Sequence, residues 1–160
     1  MAIPVIKLLK KKSYLAMIHN AAHGENHMFR NLYATVDGIE QDIVDNGQLS
    51  CAFFVSAVLY VNKFIRDMHA NMTGLEKDLV GSGWLQIDEP REGAILVWKA
   101  EVPTKKRTYQ PTGVHGGFFV GNGRAISNAS ENGGVPVEHD WTYNGTRKVE
   151  RIYWHPMLEA

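Results

Sequence analysis

Apolar positions recur at helical spacing in the first half of the chain and contract into short runs in the second half. Tyr14 to Ala22 places apolar residues every three to four positions, and Leu32 to Val44 repeats the pattern more weakly around a glycine, so both predict amphipathic helices. The strongest period follows. From Cys51 to Met68, the positions Phe54, Val55, Val58, Leu59, Asn62, Ile65 and Arg66 recur at helical spacing, and the apolar ones form a broad stripe that predicts a buried helix. Before it stands Asp45-Asn46-Gly47-Gln48-Leu49-Ser50, a turn-forming segment ending in Ser50, a favourable N-cap residue, so Cys51 is expected to open the helix. A short helix is expected over Thr73 to Val80, closed by Gly81-Ser82-Gly83.

Near residue 90 the texture changes. Ala94 to Trp98 is a continuous apolar run entered through Pro90-Arg91-Glu92-Gly93. Val114 to Val120 is a second run, turned by Gly121-Asn122-Gly123 into Arg124 to Ser127, a strong hairpin signal. Val135 to Val137 and Val149 to Trp154 supply further strands. Helices first and an antiparallel sheet second make an α+β fold. Lys99 to Thr112, rich in Lys, Thr and Pro, reads as a long exposed loop of the kind that borders sites.

Composition narrows the class. With 160 residues, 44% of them hydrophobic, the chain is expected to form one domain spanning 1–160. Seventeen basic and seventeen acidic residues cancel, which argues against a nucleic-acid partner. Lys10-Lys11-Lys12 follows the apolar Ile3 to Leu9 stretch, the reverse of a secretory signal, and no window approaches a membrane span. The expectation is a soluble monomer, cytoplasmic as written or exported by a signal outside this chain. No cofactor is called for. The single cysteine excludes an internal disulfide and a cysteine-built zinc cage.

Cys51 then has two readings, a small buried hydrophobe or a nucleophile. The first turn of a helix favours a thiolate through its unpaired N–H groups, and the Cys51 N–H would supply half of an oxyanion hole. Acyl transfer also needs a base. His115, followed by Gly116 and Gly117 at the start of the best-defined strand, fits that role, with small neighbours that leave the approach open. A third polar group should fix the imidazole, and the partner strand of the hairpin ends in Ser127-Asn128.

The segment His115-Gly116-Gly117-Phe118-Phe119-Val120-Gly121-Asn122-Gly123 resembles the histidine strand and turn of NlpC-type cysteine peptidases, which have a papain-like fold. Pro90 to Trp98 looks like that family's first strand, and Cys51 opens a long apolar helix as the family's nucleophile does. The resemblance covers about residues 46 to 130 and implies a nucleophile-bearing helix packed on an antiparallel sheet. It departs at Ser50 before the cysteine and Ala52-Phe53 after it, where the family usually has Asp and Ser-Gly. The family's third residue falls twelve positions after the histidine, on Ser127, a weak orienter. A one-residue bulge would bring the better-suited Asn128 into register, and Asn128 is the preferred expectation. Asn132 and His139-Asp140 are fallbacks.

The resemblance implies a thiol hydrolase acting on an amide, usually in peptidoglycan stem peptides, with a peptide or wall fragment as partner. Gln48 and Ser50, with Gly116, are candidates for the oxyanion and substrate side, and Trp98, Trp84 and Tyr109 for a groove. Two other classes stay open: an inactive member of the fold that binds wall fragments or a protein, and an amidase or acyltransferase on a non-wall substrate. His19, His23 and His27 fall four apart, as metal ligands on one helix would, but Gly24 interrupts them and no metal site is expected.

Overall fold

The computed structural model describes residues 1–100, 113–129 and 133–159. Most of the loop expected over Lys99 to Thr112 therefore lies outside the described residues, as do Tyr109 and Asn132. The chain mixes helix and antiparallel sheet. Helix α1 (Lys10–Ala21) buries Tyr14, Ile18 and Ala21, and it stops before His23, so the three spaced histidines do not share a helix. Helix α2 (Cys51–Val61) is apolar on every side and buried from Ala52 to Leu59, as expected of a helix without a polar face. Helix α3 (Met72–Gly81) is capped by Asn71, whose side chain accepts from the Gly74 N–H.

Two expected helices are corrected. Leu32 to Val44 is instead a hairpin, β1 (Tyr33–Val36) with β2 (Ile39–Asp42). Its turn residues Asp37 and Gly38 have φ of 52° and 81°, the left-handed pair that a two-residue hairpin loop demands. The Asp42 carboxylate anchors its base by accepting from the backbone N–H groups of Leu32, Val44 and Asn46. The second correction shortens α2, expected to reach Met68. Lys63 turns left-handed at φ 57°, its N–H reaching the Tyr60 carbonyl and the Phe64 N–H the Leu59 carbonyl, which is a Schellman ending. Phe64 and Ile65 are still buried, which is why their spacing mimics a continuing helix.

Among the described residues the main sheet holds six antiparallel strands: β3 (Leu85–Gln86), β4 (Ile95–Trp98), β5 (His115–Gly121), β6 (Arg124–Ala129), β7 (Val135–Asp140) and β8 (Val149–Trp154), in the order β3-β8-β4-β5-β6-β7. The short β3 was not anticipated. The hairpin at Gly121-Asn122-Gly123 forms as expected, all three residues having positive φ. Side-chain alternation divides the sheet. Phe118 meets α1 and α2, its ring 6.0 Å from Tyr14 and 5.4 Å from Phe54. His115 and Phe119 leave β5 on the other face, where Phe119 meets Trp141. Among the described residues no helix is long and apolar enough to cross a membrane.

Candidate functional site

The start of α2 is fixed by the loop before it. Gly47, at φ +86°, lies backbone to backbone against Gly134 at φ +72°, so close that a Cβ on Gly47 would sit 2.7 Å from the Gly134 oxygen. The Gly47 carbonyl accepts from Ser50 Oγ and from Asn128 Nδ2, each at 3.0 Å, and Asn128 Nδ2 also donates to Ser50 Oγ. This latch ties residues 47 and 50 to β6 and to Gly134, just before β7. It also corrects two expectations. Ser50 precedes the helix but makes no side-chain cap, because its hydroxyl turns back into the loop. Asn128 does not orient His115, because alternation sends it to the α2 face, where it serves the latch.

The register explains the choice between Ser127 and Asn128. The irregularity in the β5–β6 pairing falls at the turn, between Phe119 and Gly121, and not at the far end of the hairpin. Phe118 consequently pairs with Ile126, which puts Ser127 on the face of His115. Ser127 Oγ lies 3.0 Å from His115 Nε2, and it also meets His139 Nε2 at 2.7 Å and the Tyr143 hydroxyl at 3.1 Å. Trp98, paired with His115 in register, stacks on its ring at 5.1 Å and 27°.

No protein-family model and no curated protein matches this chain. What the site can do must therefore be argued from its own groups. The Cys51 thiol comes up against β5 at the backbone of Gly116, one residue from the base candidate. No hydrogen bond joins the thiol to the His115 ring among the described residues, so the two groups rest unengaged. Burial pushes the Cys51 thiol up, outweighing the hydrogen bonding from the Gly116 and Ala52 backbone and the Arg147 cation, which pull it down. The expected thiolate is thereby corrected: desolvation of the charge beats the helix start. His115 is pushed down to about 3, first by burial and then by the charges of Arg147 and His139. Both groups are uncharged at neutral pH.

A measurable consequence is the pH profile of alkylation. The rate of Cys51 modification by iodoacetamide should inflect above the free-thiol value of about 8.5. Arg147→Gln should move the inflection further up, because it removes a cation that favours the thiolate. An inflection below the free-thiol value would refute this electrostatic account.

The remaining expected site residues divide. Trp98 is fully buried, with Nε1 donating to the Trp141 carbonyl, so it supports His115 and does not line a groove. Trp84 is buried against Phe64. Gly116 leaves no open approach on its side-chain face, because a Cβ there would lie 2.6 Å from Met72 Sδ; its contribution is its peptide against the thiol. Gln48 is exposed in the loop before Cys51. Sequence reasoning missed the Gly47–Gly134 contact, Tyr143 and Arg147. A tyrosine in a Tyr143-Asn144-Gly145 run of positive φ was the one readable signal among them, since such turns favour Asn and Gly.

Proposed function

We propose that the chain is a papain-like cysteine hydrolase that cleaves an amide bond, and that its substrates are peptidoglycan stem peptides. The observation that carries the reading is the convergence of a helix-opening cysteine on the peptide next to a histidine whose far nitrogen is held by a buried hydroxyl. The NlpC-like pattern around His115 supports the wall substrate.

From an uncharged resting pair, His115 takes the Cys51 proton as the sulfur attacks the carbonyl carbon, and the developing oxyanion is met by the Cys51 N–H. The imidazolium then gives that proton to the leaving nitrogen, the C–N bond breaks, and a thioester remains on Cys51. Water, deprotonated by His115, attacks the thioester, the C–S bond breaks, and the proton returns to the sulfur as the acid product leaves.

Incubating the folded protein with muropeptides and comparing product masses between the native chain and Cys51→Ala tests this. Cleavage by the native chain alone supports it; cleavage by both sinks it. The unengaged thiol and imidazole favour a second reading, an inactive domain that binds wall fragments. Retention of intact muropeptides by the native chain without cleavage would select that one.

A further inference from the structure

We infer that His139 is a positioning residue, acting through Ser127 to hold His115 in the tautomer with hydrogen on Nε2 and leave Nδ1 as the basic nitrogen. The inference rests on the proposed role of His115 as base, but it follows from hydrogen-bond accounting that needs no substrate.

His139 Nδ1 lies 2.8 Å from the Asp140 carbonyl oxygen, which can only accept, so Nδ1 carries a hydrogen. Burial, with the cations Arg124 and Arg147, favours the neutral ring and outweighs the Asp140 carbonyl and carboxylate, which favour the charged one. In a neutral ring Nε2 then has only a lone pair, and its partner at 2.7 Å, Ser127 Oγ, must donate to it. A hydroxyl has one hydrogen. Having spent it on His139, Ser127 can only accept from its two other neighbours, His115 Nε2 at 3.0 Å and the Tyr143 hydroxyl at 3.1 Å. His115 is thus required to carry its hydrogen on Nε2.

Serine alone would not impose this, since its hydroxyl can rotate to donate or accept. The direction comes from outside the His115–Ser127 pair. The surroundings are built to hold it. The Asp140 carboxylate accepts from Thr142 N–H, Thr142 Oγ1 and Asn144 N–H, fixing the loop that carries Tyr143. Tyr143 sits at φ 53°, an uncommon conformation for a bulky residue, and its ring stacks on His139 at 4.2 Å and 22°. Ser127 itself is fully buried, which keeps water from competing for its hydroxyl.

Two-bond proton–nitrogen correlation NMR on the chain labelled with ¹⁵N-histidine reads the tautomers directly. The native chain should show His115 protonated on Nε2 and His139 on Nδ1. In His139→Ala the Ser127 hydroxyl is released, and His115 should become a mixture of tautomers; His139→Gln, which restores an acceptor, should recover the Nε2–H form. On a cleaved substrate, His139→Ala should lower kcat by about 10- to 100-fold with little change in KM, and His139→Gln should recover most of it. Native His115 protonated on Nδ1 overturns the inference, even if His139→Ala fails to fold, as does a His115 tautomer that His139→Ala leaves unchanged. A native chain with the expected tautomers and no hydrolysis of any amide would defeat the catalytic reading and leave the tautomer assignment standing.

Discussion

His115→Gln should lower kcat/KM on an amide substrate by about 10²- to 10⁴-fold, the range lost when a general base is removed. Glutamine keeps a planar polar group at the start of β5, beside Trp98 and Ser127, so the strand and the hairpin should stay in place. What it removes is the proposed base, one residue before the Gly116 backbone that meets the thiol. Because the Cys51 thiol is pushed up by burial, little thiolate forms unaided, and the loss should be largest below the thiol's own titration. Steady-state rates across pH, with circular dichroism to verify the fold, check this. A variant that stays folded and keeps native kcat/KM would remove His115 from the mechanism.

Gly47→Ala should destabilise the chain strongly for a single added methyl. Left-handed backbone costs a residue with a Cβ about 1–2 kcal/mol. The added carbon would also lie 2.7 Å from the Gly134 oxygen and 2.9 Å from its Cα, and backbone has no rotamer with which to yield. Overpacking of that kind adds about 1–3 kcal/mol, for a total of about 2–5 kcal/mol. In a chain of this size that is a fall of about 4–20 °C in Tm. The effect reaches the site, because Gly47 O holds both Ser50 and Asn128, and Ser50 immediately precedes Cys51. Partial release of this latch should speed alkylation of Cys51 at fixed pH. A Tm within about 1 °C of native would mean that the two glycine backbones part without cost.

The sequence made some features legible because the physics was local. Gly121-Asn122-Gly123 announces its hairpin since all three residues tolerate the left-handed region that the turn uses. Cys51 opens α2 because a turn-forming segment gives way abruptly to apolar residues. The misread elements are those where burial and backbone geometry diverge. Phe64 and Ile65 belong to the core without belonging to α2, and the residue that ends the helix is a lysine where glycine would have been the usual signal. In the β1–β2 hairpin, Asp37-Gly38 was the better guide than the surrounding apolar spacing, since its strands are largely exposed and lack a buried face.

At the site, the distinction between Ser127 and Asn128 is one of parity. Shifting an irregularity by a few residues along the hairpin exchanges the faces of both side chains, and residue types do not locate it. His139 is harder still. It joins Ser127 only because Ala125 pairs with His139 and Ser127 with Val137, a register between strands that the sequence leaves open.

The central claim is that Cys51 becomes acylated during turnover. Rapid acid quench of the muropeptide incubation, followed by intact-mass analysis of the protein, tests it most directly. A transient mass increase equal to the acyl fragment, mapped to Cys51 and formed much more slowly in His115→Gln, is the predicted result. Turnover of substrate with no adduct on Cys51, or an adduct that forms equally fast without His115, would contradict it.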